Sequence, residues 1–303
     1  MSAGILDLLS VLVLPRFERQ PHAHATVFTG DTVMLPCLIP DAIPTGRVTW
    51  YRNGVKMLPE DFAKTQKRLS VLPMTGSLEI ARAQYSDTAT YKCKVENDDK
   101  SRTSTDGRLT VRKQDRAAVP GPPSFVATPA DRLVREGDSV ALECAANAFP
   151  PAEITWLKDG EEIQFGSSRV RKIGQGTLVL EKVRGPDSGR YICRAANTHD
   201  SKDASATLEV IVPPTFIDRP KSVVAAEADD VDFVCAVSGR PGPSITWLKD
   251  GEILNPTQYF QMEGNMLHIF GLVKSDGGIY QCLAENSAGS IQASAQLIVH
   301  ESG

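Results

Sequence analysis

Residues that could carry out chemistry recur in one short element, in which an aspartate lies six positions before a cysteine and a tyrosine lies two positions before it. The element occurs three times, at Asp87, Tyr91 and Cys93, at Asp187, Tyr191 and Cys193, and at Asp276, Tyr280 and Cys282. An acid close to a thiol could activate a nucleophile. The same pattern is typical of a tight turn leading into a strand, with the tyrosine hydroxyl bonded to nearby backbone. We favour the structural interpretation, because each of these cysteines has a second cysteine with which to pair.

The six cysteines fall into three pairs in equivalent sequence contexts. Six cysteines allow fifteen pairings, but the repeat selects one set: Cys37 with Cys93, Cys144 with Cys193 and Cys235 with Cys282. Each bridge closes a long loop and is expected to stabilise its domain by roughly 4 kcal/mol. Three such bridges indicate an oxidising compartment, so we expect an extracellular protein. Against this, the sequence has no Asn-x-Ser/Thr glycan acceptor, because Pro256 blocks the nearest one. An intracellular chain of the same class is the alternative.

Strands must position these cysteines, and the sequence around Cys235 shows how. Val231, Phe233 and Cys235 occupy alternate positions, so they share one face of a strand. Trp247 follows twelve residues after Cys235 and can lie against a bridge between two packed sheets. This is the residue pattern of an immunoglobulin sandwich. By the same alignment, the core tryptophans are Trp50, Trp156 and Trp247, and the tyrosine corners are Tyr91, Tyr191 and Tyr280.

The pattern occurs three times along the 303 residues, which predicts an all-β chain of three tandem immunoglobulin-like β-sandwiches. We place the domains at residues 16–113, 122–212 and 213–300, with a linker at residues 114–121 and a tail at residues 301–303. The linker between the first and second repeats is charged and then rich in glycine and proline. The junction between the second and third repeats, at residues 210–216, has almost no linker residues. We therefore expect a stiff second-to-third pair and a freer first domain.

Residues 1–15 contain a short apolar run. As a signal peptide the run is poor, because no basic residue precedes it, Asp7 interrupts it and no small-x-small cleavage site follows. The segment is either a poor signal peptide or the remnant of a preceding domain, and we favour the remnant. No apolar run approaches the roughly 20 residues that a membrane-spanning helix needs. We expect no direct membrane insertion by this part of the chain.

Other chemistry finds little support in the sequence. His22 and His24 could place two imidazoles on one face of a strand, an arrangement that metal ions favour. No Cys, Asp or Glu at metal-ligand spacing accompanies them, so the polar face of an edge strand is the preferred interpretation. The sequence also lacks the Gly-x-Ser-x-Gly, phosphate-loop and Gly-x-Gly-x-x-Gly motifs. We expect no enzymatic activity, no cofactor, no metal and no nucleic-acid partner.

Charge is distributed unevenly along the chain. Residues 16–113 carry 16 basic and 11 acidic residues, for a net charge of +5, whereas residues 214–300 carry 5 basic and 10 acidic residues, for a net charge of −5. Convergent basic side chains favour sulfated polysaccharides. The first repeat therefore offers a candidate heparan-sulfate patch, with an ordinary solvated surface as the alternative. Its candidate residues are Lys64, Lys67, Arg68, Lys92 and Lys94, with Lys100 and Arg102.

Phe270 is a candidate interface residue of a different kind. It follows the Leu-x-Ile core strand at Leu267 and Ile269, so the alternation points it outward. An outward aromatic side chain is a modest indication of a protein interface. Isolated exposed apolar residues are common, and that is the alternative.

Longer segments resemble a known family. Residues 259–261 (YFQ), 271–286 (GLVKSDGGIYQCLAEN) and 293–299 (ASAQLIV) are similar to the fourth immunoglobulin domain of the netrin-receptor family of DCC, neogenin and Frazzled. Residues 71–78 (VLPMTGSL) and 101–103 (SRT) resemble the second domain of that family, and the second repeat fits its third domain. The resemblance implies intermediate-set immunoglobulin domains from the ectodomain of a single-pass membrane receptor in axon guidance and cell adhesion.

This resemblance shapes the functional hypotheses. The leading one is an extracellular, protein-binding segment of a cell-surface receptor, whose partners are netrin-like ligands, other cell-surface proteins or a second copy of the chain. The family's first immunoglobulin domain, its fibronectin repeats and its membrane span have no counterpart here, which leaves netrin binding by this chain an open expectation. The alternatives are an intracellular, sarcomere-like spacer and a generic immunoglobulin-superfamily adhesion protein without a netrin-related role.

Overall fold

A computed structural model describes residue 14 and residues 16–38, 46–64, 68–73, 75–97, 100–113 and 120–301. Within these ranges the chain is built of β-strands, with one short α-helix and three single-turn 3-10 helices. The all-β prediction is confirmed. The chain divides into two compact units, one from residues 1–132, 139–181 and 189–207 and the other from residues 133–138, 182–188 and 208–303. The second repeat contributes to both units, and the domain boundaries stay a prediction.

The first repeat forms two sheets around a core that contains Trp50. Its elements are β1 (His24–Phe28), β2 (Val33–Leu35), β3 (Arg47–Arg52), β4 (Val55–Lys56), α1 (Pro59–Lys64), β5 (Leu69–Val71), β6 (Leu78–Ile80), η1 (Tyr85–Asp87), β7 (Ala89–Glu96), β8 (Ser101–Thr103) and β9 (Gly107–Arg112). One sheet has the order β1-β9-β7-β3-β4, with β8 beside β7, and the other has the order β2-β6-β5. β1 runs parallel to β9. The core buries Leu35, Cys37, Leu78, Tyr91, Cys93 and Leu109.

Turn chemistry fixes the register of the β3–β4 hairpin. Asn53 and Gly54 adopt φ values of 49° and 82°, which is the left-handed backbone that a tight two-residue hairpin turn requires. Asparagine and glycine tolerate this backbone better than other residues. The turn sets Arg52 opposite Val55, and Trp50 then lies opposite Cys93. The separate pairing of β3 with β7 therefore places the tryptophan beside the disulfide.

The second repeat follows the same plan along the chain. Its elements are β10 (Ser124–Ala127), β11 (Arg132–Arg135), β12 (Val140–Leu142), β13 (Ala145–Asn147), β14 (Glu153–Lys158), β15 (Glu161–Glu162), β16 (Val170–Ile173), β17 (Thr177–Leu180), η2 (Gly185–Asp187), β18 (Gly189–Ala196) and β19 (Ser201–Asp218). β17 pairs with β12 and β16, and β14 pairs with β15 and β18. β19 is one strand of 18 residues that runs through the predicted boundary at residues 212–213.

The third repeat completes the series. Its elements are β20 (Val223–Ala226), β21 (Val231–Val234), β22 (Ala236–Arg240), β23 (Ser244–Lys249), β24 (Glu252–Ile253), β25 (Phe260–Glu263), β26 (Met266–Ile269), η3 (Lys274–Asp276), β27 (Gly278–Asn286) and β28 (Gly289–His300). One sheet has the order β20-β28-β27-β23-β24 and the other has the order β21-β26-β25. Phe233, Trp247, Leu267 and Tyr280 fill the space between the two sheets.

Hydrogen bonds join the first repeat to the second. The backbone N–H of Thr32 donates to Asn147 Oδ1 over 2.5 Å, and Asn147 Nδ2 donates back to the carbonyl of Thr32 over 3.2 Å. The N–H of Gln175 donates to Glu79 Oε1 over 2.8 Å. These contacts were not expected from the sequence, because their polar groups carry no recognisable signal, and the freer first domain stays a prediction. The predicted linker falls mostly on residues 114–119, outside the described part of the chain.

Candidate functional surfaces

The six cysteines are structural. The structure bonds Cys37 to Cys93, Cys144 to Cys193 and Cys235 to Cys282, with Cα atoms 6.3, 6.5 and 6.3 Å apart. Trp50, Trp156 and Trp247 are at most 2% exposed. Trp50 Nε1 donates to the carbonyl of Gly76 over 2.8 Å, and Trp156 Nε1 donates to that of Gly176 over 2.6 Å. All six cysteines are therefore bonded in disulfides, and none of them provides a free thiol for chemistry.

The recurring aspartate and tyrosine also have structural roles. The hydroxyl of Tyr91 donates to the carbonyl of Asp87 over 2.9 Å, and that of Tyr280 donates to the carbonyl of Asp276 over 2.8 Å. Burial raises the pKa of Tyr91 to about 12, and burial also raises the pKa of Tyr280. Both groups therefore stay neutral donors at physiological pH. Tyr191 occupies the equivalent buried position in the second repeat.

The structure separates the residues predicted to form a basic patch. The guanidinium of Arg68 lies 3.0 Å from Asp87, its side chain is only 11% exposed, and it is not available to a sulfate. Lys64 lies on α1, 4.0 Å from Asp61. Lys67 lies outside the described residues. Lys92 and Lys94 share the outward face of β7, where they pair with Asp106 and Glu96.

Two further basic residues share that outward face with Lys92 and Lys94. Tyr51 on β3 lies opposite both Lys92 and Lys56. Arg108 on β9 lies opposite Thr90, and Thr90 is two positions before Lys92 on β7, so all of these side chains point to the same side of the sheet. We call the outward side chains of β9, β7, β3 and β4 the basic face; it contains Tyr51, Lys56, Lys92, Lys94 and Arg108. Sequence reasoning missed Lys56 and Arg108. The available signal was the alternation Gly107, Arg108, Leu109, which exposes the arginine.

The third repeat presents a face of opposite character. Val224 lies opposite Ile298, Gln296 opposite Ile279, and Leu248 opposite both Gln281 and Ile253. Val224 and Ile253 are 65% exposed, and Ile279 and Ile298 are 49% and 47% exposed. We call these outward side chains the uncharged face, defined by Val224, Leu248, Ile253, Ile279, Gln281, Gln296 and Ile298. None of the seven is charged, although residues 214–300 have a net charge of −5.

Phe270 is packed more closely than the sequence suggested. Its ring stacks on that of His268 with centroids 6.1 Å apart, and His268 Nδ1 lies 2.7 Å from Asp232 Oδ1. Phe270 is half-buried and follows β26, so it belongs to the sheet opposite the uncharged face. Val224 on β20 and Ile253 on β24 are both more exposed than Phe270.

Metal binding and membrane spanning were also considered for the residues that the structure describes. No group of three or more His, Cys, Asp and Glu side chains there could hold a metal ion. Among the same residues, none of the helices has the length and apolar character needed to span a bilayer.

Comparisons with protein families agree with the geometry of the sandwiches. The immunoglobulin domain family matches residues 15–97 and 122–197, which is more than half of the chain. The immunoglobulin I-set domain family matches residues 214–299. These matches overlap all three repeats.

Comparisons with individual proteins are more specific. The chain is 39% identical over 286 residues to netrin receptor DCC of Homo sapiens, a match that covers 94% of this chain and 19% of the relative. It is 35% identical over 296 residues to neogenin of Mus musculus, covering 97% and 19%. It is 32% identical over 294 residues to protogenin of Homo sapiens, covering 96% and 25%. The chain therefore spans about a fifth to a quarter of the length of these relatives.

Solved structures show the same architecture. The four N-terminal immunoglobulin domains of Dscam1 isoform 6.9 match with a TM-score of 0.73 and 26% identity, covering 95% of this chain and 74% of that one. Immunoglobulin domains 1–4 of Sidekick-1 match with a TM-score of 0.66 and 27% identity, covering 95% and 76%. The chain belongs to the immunoglobulin-domain family, and its repeats are immunoglobulin domains of the kind found in the netrin-receptor family of DCC, neogenin and protogenin.

Proposed function

We propose that this chain is the extracellular, protein-binding segment of a cell-surface guidance or adhesion receptor of the netrin-receptor type. The relatives named netrin receptor DCC and neogenin support this function, and the three disulfides suit an oxidising compartment. The observation that carries the proposal is the uncharged face of the third repeat. It offers a protein partner the type of surface that protein interfaces use at their centres.

The residues of the uncharged face are suited to binding. Ile279 and Ile298 are about half exposed, and covering the rest of each side chain would contribute roughly 1 kcal/mol. Gln281 and Gln296 can form hydrogen bonds without the cost of desolvating a charge. The acidic groups elsewhere on the repeat would set the orientation and the rate of approach of a basic partner. We expect the partner to be an extracellular protein with an apolar centre and a basic rim.

A substitution within the uncharged face tests this proposal. Ile279→Arg would place an unpaired charge at its centre, so affinity for a netrin-type ligand should fall at least tenfold. Leu133→Arg is the matched control, because Leu133 is 63% exposed and lies outside the face. Binding to immobilised ligand should be measured by surface plasmon resonance, with circular dichroism as the check on folding. Equal affinities for the two folded variants would rule out this face as the binding site.

Heparan sulfate is a second candidate ligand, for the first repeat. Lys56, Lys92 and Arg108 lie on one sheet face, where a sulfated chain could contact all three. Asp106 lies 3.6 Å from the ammonium of Lys92 and reduces the local positive charge. Binding would therefore be electrostatic and sensitive to salt.

A further inference from the structure

Glu79 is a buried carboxyl group on a strand face that its own repeat leaves uncovered. It lies on β6 between Leu78 and Ile80, which are fully buried in the core of the first repeat. Strand alternation therefore points Glu79 away from that core. Its cross-strand neighbours Met34 and Ser70 carry no charge. Glu79 is nevertheless only 1% exposed, so another part of the molecule covers it.

The cover comes from the second repeat. The N–H of Gln175, in the turn between β16 and β17, donates to Glu79 Oε1 over 2.8 Å. A Cβ atom built on Gly174 would overlap the Glu79 carboxyl group, so a side chain at this position would have to displace the end of the Glu79 side chain. The side chain of Gln175 is itself held by two hydrogen bonds to the backbone of Ala146, of 2.8 and 2.9 Å. The turn is therefore anchored to its own repeat where it meets Glu79.

The contact leaves part of the carboxyl group unsatisfied. Among the residues that the structure describes, the buried Glu79 Oε2 has no hydrogen-bond partner, and neither has the buried Oε1 of Glu143. Glu143 belongs to the second repeat and acts on Glu79 as a like charge. Arg19 and Arg132 line a small cavity together with Glu143, but neither provides a partner for Glu79 Oε2. A negative charge on Glu79 is consequently costly while the two repeats are in contact.

We propose that the contact between the first and second repeats is linked to protonation of Glu79: it closes when the carboxyl group is neutral and opens when it ionises. A neutral carboxyl group still accepts the Gln175 N–H through its carbonyl oxygen. The second hydrogen-bonded contact, between Thr32 and Asn147, involves no ionisable group. It therefore does not itself respond to pH, and it forms and breaks together with the contact at Glu79.

The direction of the pH dependence follows from burial. Burial raises the pKa of Glu79 from 4.5 to about 7, the hydrogen bond from Gln175 acts against this rise, and Glu143 adds to it. Opening the contact exposes the group and returns its pKa toward the ordinary value. A group whose pKa is higher in the closed state favours closure at low pH. The closing constant should fall about sevenfold from pH 5 to 6 and about fivefold from pH 6 to 7, and about twentyfold in total from pH 5.5 to 7.5.

Amide hydrogen exchange on the whole chain tests the proposal. The peptides to follow are those that contain the N–H groups of Thr32 and Gln175, since both donate across the contact. Their protection, corrected for the intrinsic exchange rate at each pH, should fall roughly twentyfold from pH 5.5 to 7.5. A peptide covering Val140–Leu142, which is paired within the second repeat, should show no comparable change. Unchanged protection at Thr32 and Gln175 would overturn the proposal.

Two variants separate Glu79 from the other groups that titrate in this range. Glu79→Gln keeps the hydrogen-bond acceptor and removes the charge, so both N–H groups should stay protected at pH 7.5. Glu162→Gln, at an exposed position on β15, should behave like the unaltered chain. A pH response that persists in folded Glu79→Gln would exclude Glu79 as its source. Added Ca²⁺ that restores protection at a fixed pH of 7.5 would also overturn the proposal, because a cation would then be the ligand.

A direct measurement covers the case in which Glu79→Gln does not fold. The side-chain carboxyl of Glu79 can be titrated by carbon NMR in the unaltered chain labelled with ¹³C-glutamate. An apparent pKa near 7 is expected, and a value near 4.5 would contradict the proposal.

Discussion

Arg68 and Asp87 form an ion pair that is almost enclosed by the first repeat. Arg68 Nη1 lies 3.0 Å from Asp87 Oδ2, and the two side chains are 11% and 3% exposed. The same guanidinium donates to the carbonyl oxygens of Ala81 and Arg82. Asp87 Oδ2 also accepts the N–H of Gln84. The pair therefore joins the start of β5 to the turn that precedes β7.

Removing the cation of this pair should destabilise the first repeat strongly. Arg68→Met leaves the Asp87 carboxylate buried without its partner, and we expect the free energy of unfolding to fall by about 3 kcal/mol. Lys64→Met is the matched control, since the Lys64 side chain is 74% exposed and lies 4.0 Å from Asp61. That change should cost well under 1 kcal/mol. Urea denaturation checks both values, and similar midpoints for the two variants would refute the structural role of Arg68.

Removing the hydroxyl group of a tyrosine corner should destabilise the chain less than removing Arg68, and by a similar amount in each repeat. Tyr91→Phe and Tyr280→Phe each remove a hydroxyl that donates to a backbone carbonyl four residues earlier. Each change should lower stability by about 1 kcal/mol, because the ring stays packed and only the hydrogen bond is lost. Tyr51→Phe, on the outward face of β3, should have little effect. Thermal unfolding monitored by circular dichroism would show a contradiction if Tyr51→Phe were as costly as Tyr91→Phe.

The sequence predicted the parts of this molecule that depend on local pattern. The alternation of Val231, Phe233 and Cys235 is sufficient to place their side chains in a core, because strand geometry leaves two faces. The Asn53–Gly54 turn likewise depends on backbone preferences that two residues carry by themselves. These features recur in all three repeats, so a prediction made for one repeat could be compared with the other two.

The surfaces could not be predicted in the same way, because they depend on which strands become neighbours. Arg68 contributes the same positive charge as Lys92 in a count along the sequence, yet the fold buries it against Asp87. Ile279 and Ile298 are 19 residues apart in the sequence and share a face only through the β27–β28 register. Glu79 is an ordinary outward residue of its strand until the turn at Gly174 covers it. Contacts between repeats have no local pattern that would reveal them.

The state of the cysteines distinguishes an extracellular receptor segment from an intracellular spacer. All three disulfides are closed in the structure, with every cysteine at most 1% exposed. Protein isolated from its native source, denatured without reductant and treated with a thiol reagent should therefore show no free thiol. Six free thiols would favour the spacer. Replacing Cys144 and Cys193 together by alanine should lower the free energy of unfolding by about 2–5 kcal/mol.

Heparin affinity is the last prediction, and it depends on the basic face. A chain carrying Lys92→Ala and Arg108→Ala should elute from heparin at a clearly lower salt concentration than the unaltered chain, because two of the basic side chains that converge on this face are lost. The matched control is Lys64→Ala with Lys221→Ala, since the two side chains are 74% and 82% exposed and neither residue belongs to the strands of the face. The control removes the same formal charge, so a simple net-charge effect would lower both elution points equally. Elution of the unaltered chain below physiological salt would eliminate heparan sulfate as a ligand of this segment.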